Sequence, residues 1–288
     1  MPFFSVIIPS YNRAALLPRA IQSVIHQTFD DWELLVVDDG STDDTAQQVA
    51  VFNDPRIRYL YQNNQGVCVA RNTGAHHAKG EYLVFLDSDD YATSNWLHDF
   101  DHLLKTHAVD LVFCDMKRVN LTDDSYKIVR ALYPFRDTEY TQAGFFMSGT
   151  FAVTVAFFSE IGGFDPVLRY SEFTEFGFRC QAKGFNRMFT EKVGLVYEAS
   201  LDGGSKNMKN KIESIQYIMI KHNNLFDTNF REKRKYLQIL AVSYARVKDW
   251  KSSQIYFLKA FKVQFWHLKT ILQLIISFFP AIGSKFWK

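Results

Sequence analysis

Cysteine is scarce in this 288-residue sequence, which contains only Cys68, Cys114 and Cys180, far apart and without a Cys-x-x-Cys pair. A disulfide framework or a cysteine-ligated zinc site is therefore not expected, and a reducing compartment fits this composition better. The eight histidines include no HExxH motif, so they give no support to a histidine-ligated metal site.

Long apolar runs are also absent. No stretch contains 18 uninterrupted apolar residues, so a membrane-spanning helix is not expected. The opening MPFFSVIIPS has no basic segment before its apolar run, and no signal peptide is expected from it.

Charge is divided unevenly along the chain. The formal net charge is only +2, but residues 206–288 hold 16 Lys and Arg against 4 Asp and Glu, and residues 1–205 carry a net charge of −10. The acidic part is suited to a metal-dependent site and the basic part to an anionic surface. We therefore predict two regions, 1–205 as a catalytic domain and 206–288 as a basic, helical extension.

Strand and helix patterns alternate over the first 90 residues. Apolar residues at helical spacing predict a helix at 17–25. A second helix is predicted after residues 32–41, with Ser41 or Thr42 as its N-cap. A third is predicted at 66–80, where glycines bound the segment. Short apolar runs predict four strands: FFSVIIP (3–9), WELLVVDDGS (32–41), IRYLYQ (57–62) and EYLVFLD (81–87). This alternation is typical of an α/β fold with a mostly parallel, Rossmann-like sheet flanked by helices.

Later segments are predicted with less regular spacing. DLVFCD (110–115), FAVTVAFF (151–158) and VGLVYEA (193–199) are predicted as strands, and residues 171–183 as a helix ending at Gly184. After about residue 206 the pattern is helical to the end of the sequence.

Three predicted strands end in polar residues, which places them where open α/β sheets bind ligands. The most concentrated set is Asp87, Asp89 and Asp90 after LVFL. Carboxylates this close repel one another, and a divalent cation such as Mg²⁺ or Mn²⁺ offsets that repulsion. The alternative is a solvated acidic turn.

Other polar positions have a functional and a structural interpretation. Asp39 or Asp38 could accept hydrogen bonds from a base or ribose, or Asp and Ser here could cap a helix. Tyr11 could stack on a base, or simply close a strand. Arg71 could pair with a diphosphate, or lie exposed on a helix surface.

The ordered stretches VIIPSYNR, ELLVVDDGSTDDT, NNQGVCVARNTG, GEYLVFLDSDD and IGGFD closely resemble the family 2 glycosyltransferases. The resemblance implies the GT-A fold, a nucleotide-diphosphate sugar as donor (with UDP favoured), and inverting, hexosyltransferase-type transfer to a hydroxyl of a glycan or lipid-linked acceptor. It also implies Mn²⁺ or Mg²⁺ as cofactor and a place in cell-surface polysaccharide biosynthesis.

The resemblance also implies residue roles. Pro9, Tyr11 and Asp39 would hold the base, and Arg71 would reach towards the nucleotide. Asp87 would serve the ribose and the metal, and Asp89 would be the main metal ligand. Lys206 is the candidate for a diphosphate contact from a flexible loop, with Lys209 second.

One position departs from the family pattern. In RYSEFTEFGFR (169–179) Glu172 matches the family's Glu, but Phe173 occupies the position of the Asp that acts as general base. Either Glu172 takes the proton, or Glu175 does from nearly one turn along the helix, or the chain is a catalytically silent nucleotide-sugar-binding partner.

The end of the basic extension mixes lysine with large apolar residues. Residues 262–288 are predicted to form an amphipathic helix in a membrane interface, with Trp266 and Trp287 at headgroup depth. The chain would then be a peripheral protein on the cytoplasmic face of an anionic membrane. The alternative is a helical lid packed on the catalytic domain. No stacking motif supports nucleic-acid binding.

Overall fold

The computed structural model describes part of the chain at residue level: residues 1–121, 123, 125–131, 146–198 and 207–287. The contacts between residues divide the chain into two units. The first comprises Met1–Val167 and Glu172–Leu201, and the second comprises Leu168–Ser171 and Asp202–Lys288. The sequence prediction had assigned Leu168–Ser171 to the first region.

The first unit is an α/β structure. Its elements in chain order are β1 (Phe4–Ser10), α1 (Leu17–Ile25), β2 (Trp32–Asp38), α2 (Thr45–Ala50), β3 (Ile57–Tyr61), α3 (Val67–His77), β4 (Tyr82–Phe85), β5 (Tyr91–Ala92), α4 (Trp96–Leu104), β6 (Leu111–Val119), β7 (Tyr126–Val129), β8 (Phe151–Thr154), α5 (Val155–Ile161), α6 (Glu172–Lys183) and β9 (Arg187–Glu198).

The strands form one mixed sheet in the order β3-β2-β1-β4-β8-β6-β9-β5, with β7 paired to β6. The pairs β1–β2, β1–β4, β2–β3 and β6–β9 are parallel, and β8 runs antiparallel to both β4 and β6. Because β1, β2 and β4 are parallel, their carboxyl ends meet at one edge of the sheet, and the polar residues that follow them lie there together.

Burial explains why these strands lack the alternation of a half-exposed sheet. Every residue of β1, β2 and β4 is buried, because helices cover both faces. Gly74 allows α3 to lie close to the sheet, since a Cβ at this position would be 2.5 Å from Ile7 Cγ2.

Two sequence predictions on local structure were wrong. The run 151–158 is a strand only to Thr154, whose side chain accepts a hydrogen bond from the Phe157 amide and starts α5. The helix after β2 begins at Thr45, later than predicted, so neither Ser41 nor Thr42 is its N-cap. The Ser41 hydroxyl instead accepts a hydrogen bond from the Asn12 amide.

The second unit is helical where it is described. Its helices are α7 (Met208–Lys221), α8 (Asn223–Thr228), α9 (Phe230–Arg246), α10 (Trp250–Val263), α11 (Leu268–Ser277) and α12 (Pro280–Phe286). A small apolar core contains Ala241, Ala245, Phe257 and Trp287. Trp287 is only 6% exposed and stacks on Phe257, which corrects its predicted place at headgroup depth. None of the helices in the described ranges has the length and apolarity needed to cross a membrane.

Candidate functional site

The acidic cluster follows β4 directly at the carboxyl edge of the sheet. Asp87, Asp89 and Asp90 bring one carboxylate oxygen each within 4.8 Å of one another. The Asp90 amide donates to the Asp87 carbonyl at 3.1 Å, so a tight turn holds the three residues together. The structure thus unites the two predicted metal ligands, Asp87 and Asp89, with a third carboxylate.

The electrostatics of the cluster favour a cation. Burial, together with the charges of Asp87 and Asp89, raises the pKa of Asp90 well above its ordinary value. A set of hard carboxylate oxygens is the chemistry that Mg²⁺ and Mn²⁺ select. The donor set present here therefore fits either ion.

Arg71 on α3 connects this cluster to α6. Its Nη2 donates to Asp87 Oδ1 at 2.6 Å and its Nη1 donates to Glu172 Oε1 at 2.8 Å, while its own side chain is only 2% exposed. Burial opposes the guanidinium charge, but the two carboxylates outweigh it and raise the pKa of Arg71. Arg71 is therefore a buried residue whose guanidinium contacts the acidic cluster, and not an exposed residue on the surface of α3.

Phe173 lies beneath the same guanidinium. The ring centroid of Phe173 is 4.4 Å from Arg71 Cζ, and the ring also packs edge-on against Phe164 and Phe151. Only 8% of Phe173 is exposed. The residue at the family's base position is therefore part of an aromatic core that supports Arg71.

The two candidate bases on α6 have different surroundings. Glu172, at the first position of α6, keeps 14% of its side chain exposed next to Arg71. Glu175 is fully buried, and Arg179 donates to both of its carboxylate oxygens, with Nη2 at 2.8 Å from Oε2. Arg179 also donates to the carbonyls of Ile161 and Gly163. Glu175 thus anchors α6 to the turn after α5.

Arg19 supports the cluster from the other side, and sequence reasoning missed it. Its Nη2 donates to the Asp89 carbonyl at 2.7 Å, its Nη1 pairs with Glu198 Oε2 at 2.6 Å, and its Cζ lies 4.6 Å from the Tyr91 ring centroid. No motif signals this contact, because Arg19 and Glu198 are 179 residues apart in sequence.

Asp39 is engaged by the loop that precedes α3. Its Oδ1 accepts from Gln62 Nε2 at 2.7 Å and from the Gln65 amide at 2.9 Å, and its Oδ2 accepts from the Gly66 amide at 2.7 Å. The residue is only 3% exposed. Asp39 therefore fixes the shape of this loop at the carboxyl end of β2.

The predicted base-binding residues of the first loop lie beside it. Pro9 is buried near the end of β1, and Tyr11, just after β1, is 48% exposed. The loop is tied to the one after β2, since the Thr42 amide donates to Asn12 Oδ1 at 2.8 Å. Tyr11 is thus a solvent-accessible ring on a braced loop at the same edge as Asp39.

Lys206 lies outside the described residues, so its diphosphate contact stays a prediction. Lys209, the second candidate, belongs to the first turn of α7 in the second unit, where its Nζ lies 4.0 Å from Glu213 Oε1.

A family model described as "Glycosyl transferase family 2" matches residues 5–162, which is more than half of the chain. Two of the matching curated relatives are the following Escherichia coli proteins. The strain K12 protein named "Putative colanic acid biosynthesis glycosyl transferase WcaA" is 42% identical over 113 residues, covering 37% of this chain and 40% of that protein. "UDP-Glc:alpha-D-GlcNAc-diphosphoundecaprenol beta-1,3-glucosyltransferase WfgD" is 37% identical over 117 residues, covering 40% and 46%.

The aligned segment covers 14% of a relative from Rickettsia felis and 55% of one from Haemophilus influenzae, so the chain spans no more than about half the length of these relatives. A solved structure, that of S. aureus TarS 1-349 in complex with UDP-GlcNAc, aligns over 99% of this chain and 91% of that one with a TM-score of 0.69. Its sequence identity is 19%, so this likeness shows the fold alone, and it confirms the predicted GT-A architecture.

Proposed function

This chain belongs to glycosyl transferase family 2, and from that premise we propose that it transfers a sugar from a nucleotide-diphosphate donor to a hydroxyl of a glycan or lipid-linked acceptor. The transfer would be of hexosyltransferase type and would invert the anomeric centre. The observation that carries the proposal is the Asp87–Asp89–Asp90 cluster joined through Arg71 to Glu172 at the carboxyl edge of the sheet.

Asp89, Asp87 and Asp90 are proposed to hold Mn²⁺ or Mg²⁺. When bound there, such an ion would neutralise the charge that grows on the diphosphate leaving group. Arg71, fixed by two carboxylates, keeps Asp87 in place and adds positive charge behind it. These residues would therefore form a preorganised charged site for the donor's diphosphate.

The donor's base and ribose are proposed to bind at the neighbouring loops. Tyr11 offers an exposed ring for stacking, Pro9 closes the base pocket, and Asp39 would hold the base indirectly, by fixing the loop that precedes α3 beside it. UDP is the favoured nucleotide, because WfgD is named for a UDP-Glc donor and the TarS structure is a complex with UDP-GlcNAc. Lys206 is proposed as a further diphosphate contact.

Glu172 is proposed as the general base that takes the proton from the acceptor hydroxyl. Its Oε1 accepts from Arg71, which orients the carboxylate, and Oε2 would receive the proton. Glu175 is the weaker candidate, because its buried ion pair with Arg179 leaves no path to an acceptor.

The setting is proposed to be cell-surface polysaccharide biosynthesis at the cytoplasmic face of a membrane, because the names of WcaA and WfgD refer to colanic acid biosynthesis and to a diphosphoundecaprenol-linked acceptor. The positive charge of residues 206–288 would suit anionic lipids. No nucleic-acid partner is proposed.

A second candidate function is a silent nucleotide-sugar-binding partner. It is favoured by one observation, the buried phenyl ring of Phe173 where the family places an acid. A phenyl ring takes no proton, so this function stands if Glu172 does not act as the base.

A donor screen tests the proposal. Purified chain would be mixed with a panel of nucleotide sugars, with and without Mn²⁺, and its melting temperature measured, because a ligand that binds only the folded state raises that temperature. Donor hydrolysis and transfer would then be followed for the wild type, Glu172→Gln and Asp89→Asn. Glu160→Gln and Asp44→Asn are matched controls, since both residues lie at the surface of the same unit.

We expect an Mn²⁺-dependent shift with one donor, loss of that shift in Asp89→Asn, and loss of turnover with retained binding in Glu172→Gln. Binding without turnover in the wild type, across donors and acceptors, would establish the silent partner instead. No donor-induced shift at all, in the presence of either ion, would overturn both functions.

A further inference from the structure

Helix α11 buries polar side chains on its inner side. Thr270, Gln273 and Ser277 are buried, and their spacing of three and four residues puts them on one side of the helix. Gln238 of α9 donates through Nε2 to Thr270 Oγ1 at 3.0 Å and to Gln273 Oε1 at 2.7 Å. Hydrogen bonds therefore join this stripe of the helix to α9, while Leu274 and Ile276 of α11 pack against the apolar core.

The opposite side of α11 is apolar and exposed. Leu268, Leu272 and Ile275, spaced four and three residues apart, are 81%, 54% and 52% exposed. More than half of each of six further large side chains around α11 and α12 is also exposed: Phe265, Trp266, Phe278, Phe279, Ile282 and Phe286. These nine residues, here called the apolar face, reverse the arrangement of a water-facing helix, in which polar residues point outward.

Nine exposed large apolar residues between positions 265 and 286 indicate a binding surface, because soluble monomers rarely leave large apolar patches in water. The charge around the apolar face identifies the occupant. Residues 250–288 contain six lysines and no aspartate or glutamate. Arg246 and Lys248 add two cations beside α12, where they line a cavity of about 460 Å³ together with Gly283 and Trp287.

We propose that the apolar face inserts into the interfacial region of a bilayer rich in anionic lipids, with the surrounding lysines against the lipid phosphates. A second copy of the chain is a poorer occupant, because it would bring two acid-free, lysine-bearing surfaces together. Trp266, 63% exposed just before α11, would lie at headgroup depth.

This inference rests on the proposed function only for the membrane setting, and it concerns a surface of the second unit and none of the donor-binding residues. The two therefore fail separately. Loss of vesicle binding with intact donor binding would remove the surface and leave the enzyme.

The test is co-sedimentation of the full chain with vesicles of phosphatidylcholine alone and of phosphatidylcholine mixed with phosphatidylglycerol. We expect the chain to bind the mixed vesicles. Binding should be weaker at about 1 M salt, because the Debye length is then only about 3 Å and attraction between lysines and lipid phosphates is screened. The double variant Leu272→Gln, Ile275→Gln should bind the mixed vesicles at least about tenfold more weakly than the wild type. It removes aliphatic surface that the wild type would bury in the bilayer. Ile220→Gln is the control, since Ile220 is 76% exposed on α7 outside the apolar face.

The charge arm uses Lys269→Glu with Lys285→Glu, which should weaken binding to mixed vesicles, and Lys192→Glu in the first unit, which should not. Circular dichroism confirms folding, and the donor-induced melting shift should be unchanged in every variant. A third readout is quenching of tryptophan fluorescence by brominated lipids, which should decrease in Trp266→Phe.

Three results would overturn the proposal. The first is no binding of the wild type to mixed vesicles. The second is equal binding by the wild type and the Leu272→Gln, Ile275→Gln variant. The third is a wild-type oligomer in light scattering that this variant converts to a monomer, which would identify the apolar face as a contact between copies of the chain.

Discussion

The guanidinium carbon of Arg71 lies 4.4 Å from the ring centroid of Phe173, in a geometry that supports the cation from below. The family pattern expects an acid at this position. In this chain the position is occupied by Phe173, whose ring packs against the guanidinium that pairs with Asp87. The departure from the pattern therefore has a structural role, whatever its catalytic consequence.

We predict that restoring the acid harms the protein. Phe173→Asp removes ring contacts with Phe164 and Phe151 and buries a charge, so unfolding should become easier by about 3 kcal/mol or more. Phe173→Leu, which keeps most of the apolar volume but loses the ring, should cost less than Phe173→Asp, about 1–2 kcal/mol. Urea unfolding measures both. Higher transfer activity in Phe173→Asp than in wild type, at undiminished stability, would contradict this account.

Arg71 should matter to both stability and donor binding. Replacing it with Met removes two charged hydrogen bonds but leaves Asp87, which is 34% exposed, and Glu172 partly accessible to water, so we expect a cost of about 1.5–3 kcal/mol. Arg71→Lys keeps the charge but loses the fork that reaches both carboxylates, so it should recover only part of the stability.

Arg118→Lys, on an exposed position of β6, serves as the control for Arg71→Lys. Denaturant unfolding and the Mn²⁺-dependent donor shift are the two measurements. If Arg71→Lys matched the wild type in both, the bridging role assigned to Arg71 would be wrong.

Glu33 should contribute to the pH dependence of stability. Burial raises the pKa of this carboxyl, but hydrogen bonds from Ser5 Oγ, the Lys79 amide and Arg58 Nη1 outweigh it and leave the pKa below its ordinary value. The unfolded chain therefore binds the proton more readily than the folded one. The stabilisation is present near neutral pH and is lost as the pH falls through the folded pKa, below about pH 5.

Glu33→Gln should accordingly flatten the acid limb of the stability curve, measured by urea unfolding between neutral and acid pH. Glu81→Gln, an exposed position beside β4, should leave the slope unchanged. An acid limb equally steep in wild type and Glu33→Gln would assign the effect to other carboxylates.

The first half of the fold could be predicted because its strands are buried on both faces and end in polar residues. Apolar runs at β1, β2 and β4 therefore appear directly in the sequence. The prediction of a strand over 151–158 was wrong, because an apolar run alone does not distinguish a strand from a helix. The helix cap at Thr154 determines where the strand ends and α5 begins.

At the candidate site, the sequence predicts the proximity only of residues that lie close together along the chain. The metal-binding candidates Asp87 and Asp89 are separated only by Ser88, so their clustering follows from local geometry alone. The burial of Glu175 and the bridge from Arg71 to Glu172 depend on where α3 and α6 pack, which spacing does not encode. Arg19 has no local signal at all.

Arg19 allows the most specific prediction about metal binding. It contacts the backbone of Asp89 and not its carboxylate, so it acts as a positioning residue for a predicted metal ligand. Removing such outer support commonly lowers metal affinity by about 10- to 100-fold. Arg19→Met should therefore shift the Mn²⁺ titration of the donor-induced melting shift to higher concentrations by at least about tenfold.

Stability should respond much less than Mn²⁺ affinity. The Arg19 side chain is 40% exposed, and an ion pair of that kind contributes about 1 kcal/mol or less. Glu198→Gln, which loosens Arg19 without removing it, should give an intermediate Mn²⁺ shift. Arg56→Met, which breaks a surface pair with Asp54 far from Asp89 in the sequence, tests whether losing any arginine has this effect. Equal Mn²⁺ titrations for Arg19→Met and wild type would show that the turn after β4 holds Asp89 without help from α1.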